Sequence, residues 1–199
     1  MENYVVYLFS GLVAYNYIST ALNGGSGCIV QNEKLMKKIY IPKIVFPIVQ
    51  ATSELVSMAM TLISLHIISY IFSFAVHTKP IHLAFSLVLM YGFALGVSFI
   101  TSLLAVVVSD VRQVVGMLMR ALFFLTPIIY SIENLPARAQ YWMEFNPVFQ
   151  YVRLFHDSIY SAANPDLSIF YVPAALTSGV LIFGLFVQWR YGRNAIYYL

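Results

Sequence analysis

Residues 83–108 read LAFSLVLMYGFALGVSFITSLLAVVV and contain no charged side chain. A helix needs about 20 predominantly apolar residues to cross the roughly 30 Å hydrocarbon core of a bilayer. The rest of the chain is similar in character, since 60% of its 199 residues are hydrophobic and only 10% are charged. Typical soluble domains carry about 25% charged residues. The composition therefore predicts an integral membrane protein.

Five segments are apolar enough to be membrane spans. Open strand edges in lipid would leave backbone groups unpaired, so we predict that all five are helices. The expected fold is all-α, a single domain over residues 1–199 with about five transmembrane helices, at Tyr4–Leu22, Ile44–Phe74, Leu83–Val108, Val114–Ile132 and Leu167–Trp189. The second segment is longer than a span requires and is expected to tilt or kink.

Basic residues collect on one side of these spans. Cytoplasmic loops of membrane proteins are enriched in Lys and Arg. One side receives Lys34, Lys37, Lys38, Lys43, Arg112, Arg190 and Arg193, whereas the other receives only Lys79, Arg138 and Arg153. We therefore predict a multi-pass protein of the cell (inner) membrane, with a cytoplasmic basic loop at 23–43 and a cytoplasmic C-terminus. The segment 133–166 is then on the outer side. The net charge of +3 is too small to suggest a nucleic acid partner.

Three blocks of sequence resemble one family of transporters. Residues 11–48, GLVAYNYISTALNGGSGCIVQNEKLMKKIYIPKIVFPI, are similar to the second span and following loop of type-2 ABC export permeases. The similarity is strongest to the branch that exports bacterial O-antigen, capsule and teichoic acid. Residues 109–136, SDVRQVVGMLMRALFFLTPIIYSIENLP, resemble that family's fifth span, and residues 146–160, NPVFQYVRLFHDSIY, its segment before the last span. Such permeases usually begin with an amphipathic helix and one more span, so the resemblance implies that these two elements would precede the segment aligned here.

The resemblance implies a permease subunit that moves a lipid-linked polysaccharide across the membrane. Two copies would pair as a homodimer around the passage, and each would dock a cytoplasmic ATP-binding subunit. The sequence has no GxxxxGK[ST] phosphate-binding loop. We therefore expect no cofactor and no enzymatic activity in this chain, with ATP and Mg bound by the partner subunit.

The basic loop and the SDVRQ segment are the candidate ATPase-docking elements. The lysines offer charge for steering, and neighbouring apolar residues such as Ile39 and Ile41 offer anchors for contact. Under the alternative, the lysines are only a topology signal, and SDVRQ is a helix cap with a snorkelling arginine. The glycines of Asn23–Gly27 are expected to end the preceding helix. The docking candidates are Lys34, Lys37, Lys38, Tyr40, Lys43, Asp110 and Arg112.

Two charged residues fall at lipid depth. Glu54 lies ten residues after Ile44, and Arg120 lies eight after Arg112, so both are about 12–15 Å inward along their helices. Ionisable groups at that depth usually face a bundle interior or a wet cavity and are often paired. We predict that Glu54 and Arg120 approach each other or line one polar passage, either as a structural pair or in contact with cargo.

The segment 133–166 is rich in aromatic side chains. One interpretation is an interfacial aromatic belt. The resemblance suggests instead two short helices that dip back into the membrane as an outer gate, with Pro127 kinking the helix before them. Aromatic faces stack on sugar rings, so the candidates for contact with a glycan are Tyr141, Trp142, Phe145, Phe149, Tyr151 and Phe155.

Two other functions fit parts of the sequence. Related permeases of the same architecture export drugs or lipids. A membrane-embedded enzyme of lipid-linked sugar metabolism is the second alternative, with Glu54 or the His156–Asp157 pair as its acid or base. The four histidines, at 66, 77, 82 and 156, do not have metal-ligand spacing.

Overall fold

The computed structural model describes residues 4–39, 41–72, 78–130, 132, 135–159 and 168–192. Within these ranges the chain is all-helical, which confirms the predicted fold class. The helices are α1 (Tyr4–Gln31), α2 (Glu33–Lys38), α3 (Val45–Ile71), α4 (Pro80–Val107), α5 (Val111–Leu125), α6 (Ala137–Glu144), α7 (Pro147–Ile159) and α8 (Ser168–Tyr191). Four stretches of the described chain are long and apolar enough to cross a membrane: α1 together with α2, and α3, α4 and α8.

Helix α4 lies at the centre of the bundle and packs chiefly against α8 and α1. Its contact with α8 is close because glycines face each other there. A Cβ atom at Gly184 of α8 would lie 2.5 Å from the backbone oxygen of Gly96, and one at Gly96 would lie 2.8 Å from backbone atoms of Val180 and Leu181. Close packing of this kind is one of the forces that associate helices in membranes, where lipid tails are as apolar as the side chains.

The glycine-rich stretch Asn23–Gly27 does not end the first helix, so that expectation is wrong. Helix α1 runs without a break over Tyr4–Gln31, and residues 23–31 of the expected loop are helical. The glycines instead make room for neighbouring helices, because a Cβ atom would overlap or crowd a side chain of α3, α4 or α5: Gln50 at Gly24, Ser98 at Gly25 and Arg112 at Gly27. Three helices therefore converge on this end of α1.

The fourth predicted span, Val114–Ile132, is shorter than expected. Helix α5 ends at Leu125 after 15 residues, a rise of about 22 Å, which is less than the bilayer core requires. Thr126 is already extended, with φ −92° and ψ 128°. Pro127 explains this, since a proline disfavours helical backbone at the residue before it. Pro127 thus follows the end of the helix and does not kink it.

Helices α6 and α7 are the two short helices expected within 133–166. Asn146 caps the start of α7, because its Oδ1 atom accepts hydrogen bonds from the backbone N–H groups of Val148 at 3.0 Å and Phe149 at 3.4 Å. Its Nδ2 atom donates to the Thr126 hydroxyl at 3.0 Å. One side chain therefore fixes both the beginning of α7 and its position beside the end of α5.

A buried polar contact holds α7 against the centre of the bundle. The Tyr151 hydroxyl lies 2.8 Å from the Thr177 hydroxyl of α8, which donates to the Leu89 carbonyl of α4 at 3.1 Å. Buried hydroxyls away from water are costly unless they are hydrogen-bonded. The three helices are therefore joined at a defined register.

Candidate functional site

Hydrogen bonds between residues that are far apart in sequence define the two ends of the bundle. At one end, the Lys43 ammonium before α3 donates to the Gly192 carbonyl after α8, at 2.6 Å. At the other, the Tyr4 hydroxyl of α1 donates to the Ile129 carbonyl beyond α5, at 2.8 Å. We call the first the basic end, because it carries Lys34, Lys37, Lys38, Lys43, Arg112 and Arg190. The second is the aromatic end, with the exposed rings of Tyr141, Trp142 and Phe145.

Helix α2 is a short amphipathic element at the basic end. Met36 packs inward against the buried cluster of Cys28, Ile29, Phe46 and Leu103. The outward face carries exposed lysines and Leu35, which is 42% exposed, and Ile39 directly after the helix is 57% exposed. Charge beside exposed apolar surface is suited to steering and then anchoring a protein partner.

The lysines of the basic loop differ in their surroundings. Lys34, Lys37 and Lys38 are exposed on or beside this face, and Lys37 forms an ion pair with Glu33 one helical turn away. A surface pair of this kind contributes little to stability. Tyr40 lies outside the described residues. The exposed lysines remain candidates for contact with a partner.

Lys43 is not available for docking, which corrects the expectation for this residue. Its side chain is only 8% exposed and its ammonium donates to the carbonyl of Gly192. Burial lowers the pKa of Lys43 from its ordinary value. A cation is favoured at a helix C-terminus, where carbonyl groups lack partners within the helix. Lys43 therefore joins the start of α3 to the end of α8.

The SDVRQ segment forms the turn between α4 and α5 at the same end. Asp110 is exposed at the N-cap position, but its side chain makes no capping hydrogen bond. Arg112 lies over Gly27, where a Cβ atom would be 3.1 Å from the arginine Cδ. The structure thus brings SDVRQ to the end of the bundle that carries α2, as the docking hypothesis requires, and Asp110 is exposed there.

Glu54 and Arg120 do not approach each other in this chain. The Glu54 carboxylate accepts a hydrogen bond from Gln50 at 3.1 Å on its own helix. The Arg120 Nε donates to the Gly116 carbonyl at 3.2 Å, also on its own helix. Helix α1 packs between α3 and α5 and separates the two residues. The predicted direct pair is therefore wrong within one chain.

Arg120 instead lines a groove between α1 and α5, with a volume of about 550 Å³. Its other wall is a row of polar residues on α1 that the sequence interpretation missed. Tyr15, Ser19 and Asn23 recur every fourth position and so lie on one face of the helix. That spacing within an otherwise apolar segment was the available signal.

The aromatic candidates separate into two sets. Phe149, Tyr151 and Phe155 are at most 4% exposed and belong to the packed core of α7, so the expectation that they contact a glycan is wrong for this structure. Tyr141, Trp142 and Phe145 are 61 to 66% exposed. Their rings contact one another edge-on or tilted, with centroids 5.2 to 6.2 Å apart. These three form the exposed aromatic cluster.

The structure offers little support for the alternative of an acid–base enzyme. His156 is buried with its ring 4.1 Å from that of Tyr7. Glu54 lies elsewhere and is bonded to Gln50. In the part of the chain that is described, which leaves out His77, no three His, Cys, Asp or Glu side chains are grouped so as to hold a metal ion.

Comparison with known proteins relates this geometry to transport. The family described as ABC-2 type transporter matches residues 3–160. The O-antigen export system permease protein RfbA of Klebsiella pneumoniae is 22% identical over 186 residues, covering 92% of this chain and 70% of that protein. A protein of the same name from Myxococcus xanthus is 21% identical over 169 residues, covering 83% of this chain and 65% of that protein.

A second Klebsiella pneumoniae protein of that name is 22% identical over 151 residues, covering 74% of this chain. The chain spans between 58 and 70% of the length of these relatives. The similarity therefore reaches across most of the described helices, including α2, the α4–α5 turn and the helices of the aromatic end.

Proposed function

The chain belongs to the ABC-2 type transporter family, and from this premise we propose that it is the permease subunit of an ATP-driven exporter of lipid-linked polysaccharide. The observation that carries the proposal is the family match over residues 3–160, together with three similar proteins that are named O-antigen export permeases. The chain provides the membrane passage, and a separate subunit provides ATP hydrolysis.

The basic end is the proposed docking surface for the ATP-binding subunit. Helix α2 presents lysines beside Leu35 and Ile39, and Asp110 at the α4–α5 turn lies at the same end. In the cell membrane this end faces the cytoplasm, since cytoplasmic loops carry the excess of Lys and Arg. Capsule polysaccharide and other surface glycans belong to the same proposed class of cargo.

Helix α1 is the proposed mechanical connection between the two ends. It is continuous over Tyr4–Gln31, a length of about 42 Å, and α2 follows it directly. A displacement of α2 by the ATPase is therefore carried along a rigid helix to the contact between Tyr4 and Ile129. ATP-driven closure favours one state of the permease only if it makes different contacts in the two states. Two copies of the chain form the passage between them.

The exposed aromatic cluster is the proposed contact for the glycan as it leaves. Tyr141, Trp142 and Phe145 present ring faces at the aromatic end, and carbohydrate C–H faces stack on aromatic rings. The drug and lipid alternatives give these rings no comparable role. Export of a polysaccharide therefore accounts for more of the structure.

Co-purification tests this function. The chain is expressed with candidate ATP-binding subunits and solubilised, and the ATPase activity of the complex is measured with and without lipid-linked polysaccharide. We expect a stable complex whose ATP hydrolysis rises several-fold with cargo. Conversion of a lipid-linked sugar by the purified chain without ATP would contradict the proposal and favour the membrane-embedded enzyme.

A further inference from the structure

We propose that Arg120 and the polar face of α1 form a binding site for the phosphate or diphosphate group of a phosphorylated lipid. The inference rests on the proposed export of a lipid-linked cargo and identifies where the charged link of that cargo binds. The site is the groove of about 550 Å³ between α1 and α5.

The first argument is the charge of Arg120. It lies nine residues into α5 from Val111, about 13.5 Å along the helix axis, and it is exposed to the groove. Its Nε is bonded to the Gly116 carbonyl, and no carboxylate of the described residues forms an ion pair with it. A guanidinium at membrane depth is costly unless it meets water or an anion. The structure thus leaves a cation facing an open groove.

The second argument is the geometry of the donors. Among the described residues, Nε is the one guanidinium nitrogen of Arg120 with a hydrogen bond, to the Gly116 carbonyl, so its two terminal amino groups remain available to a ligand. Planar guanidinium groups bind phosphate oxygens with paired hydrogen bonds. Gly116 keeps the space open, since a Cβ atom there would lie 3.2 Å from the Asn23 Oδ1 atom.

The polar wall opposite is held in place by α1 itself. The Asn23 amide donates to the Ser19 carbonyl at 2.7 Å and lies 3.4 Å from the Ser19 hydroxyl. The Tyr15 hydroxyl donates to the Met119 carbonyl and so fastens α1 to α5. This wall accommodates the hydration of a charged group in a way that an apolar helix face would not.

The third argument is the apolar end of the same groove. Phe123 and Phe124 line it one turn beyond Arg120, and Phe124 is 78% exposed. A hydrocarbon chain attached to a phosphate at Arg120 has these rings as its neighbours. The combination of a cation, a polar wall and aromatic rings fits an anionic lipid. A free sugar has neither a negative charge to pair with Arg120 nor a hydrocarbon chain to contact the rings.

Binding of farnesyl diphosphate tests the site directly. The chain, together with its ATP-binding subunit where one co-purifies, is placed in lipid nanodiscs and the dissociation constant for labelled farnesyl diphosphate is measured. We expect Arg120→Gln to weaken binding at least tenfold and Arg120→Lys to weaken it less. The matched control is Arg153→Gln, an exposed arginine of α7 outside the groove, which should bind as the unmodified chain does.

Competition experiments identify which part of the ligand the site recognises. Unlabelled farnesyl diphosphate should displace the probe, while farnesol and inorganic diphosphate should each compete at least tenfold less well. Equal competition by farnesol would show a site for the chain alone, and equal competition by inorganic diphosphate a site for a free anion; either would overturn the proposal. Unchanged binding by a folded Arg120→Gln variant would overturn it as well.

A different pairing of the arginine is tested by charge reversal. If Arg120 pairs with Glu54 of a second copy, the double variant Glu54→Arg with Arg120→Glu should restore transport that each single variant loses, and our proposal would be wrong. We expect no restoration.

A wild-type complex that assembles with its ATPase but does not bind farnesyl diphosphate would refute this site and leave the proposed function standing.

Discussion

Replacing Gly184 by valine is expected to destabilise the bundle by about 3 kcal/mol, at the upper end for overpacking of a close contact. The Cβ atom alone would lie 2.5 Å from the Gly96 backbone oxygen and 3.1 Å from the Cβ of Phe99. Because the nearest atom belongs to a backbone, no side-chain rotation relieves the overlap, and α8 must move away from α4. Thermal unfolding of the purified protein in detergent measures the effect as a lower midpoint and a smaller monodisperse fraction.

Gly179 provides the matched control on the same helix. A Cβ atom at Gly179 has no heavy atom within 4 Å, so Gly179→Val changes helix propensity without introducing an overlap. We expect its unfolding midpoint to stay close to that of the unmodified protein. Equal midpoints for the Gly184 and Gly179 variants would show that α4 and α8 are not in the close contact described above.

Introducing charge at Leu35 of α2 and at Ile39, the residue after the helix, should weaken association with the ATP-binding subunit. Leu35 and Ile39 are exposed in the isolated chain, and a side chain that acts as a hot spot of a protein interface contributes about 2 kcal/mol or more. We expect the double variant Leu35→Glu with Ile39→Glu to lower affinity by at least about thirtyfold. Pull-down of the ATPase and titration of its stimulated activity provide the measurements.

Two variants show whether such a loss is specific. Phe145→Ser removes an apolar side chain at the aromatic end that is more exposed than Leu35 or Ile39, and it should leave ATPase association unchanged. Met36→Ala acts on the inward face of α2 and should lower the unfolding midpoint. Normal ATPase association by the Leu35 and Ile39 variant would remove α2 from the docking surface.

Hydropathy was sufficient to predict most of the helices. Helices α3, α4 and α8 coincide closely with three long apolar segments of the sequence that are separated by proline, charged or polar residues. The early end of α5 was also encoded, since Pro127 disfavours helical backbone at Thr126. The sequence analysis instead predicted that Pro127 would kink the helix, because the apolar segment was long enough for a full span.

The sequence alone could not predict which helices lie side by side in the bundle. The depths of Glu54 and Arg120 follow from counting residues along a helix, but the presence of α1 between their helices depends on tertiary packing. The same holds for aromatic residues, since Tyr151 and Trp142 are both plausible membrane-interface residues. Only the packing of α7 against α4 and α8 decides that Tyr151 is buried, whereas Trp142 is exposed.

Cysteine labelling of the two ends tests most directly the claim that the basic end faces the ATPase in the cytoplasm. Cys28 is the chain's only cysteine and is buried, so a Cys28→Ser background allows single cysteines at Lys34 and Trp142, both exposed. With a membrane-impermeant maleimide, Trp142→Cys should react in intact cells, and Lys34→Cys only after permeabilisation. Reaction of Lys34→Cys in intact cells would invert the protein in the membrane and contradict the account.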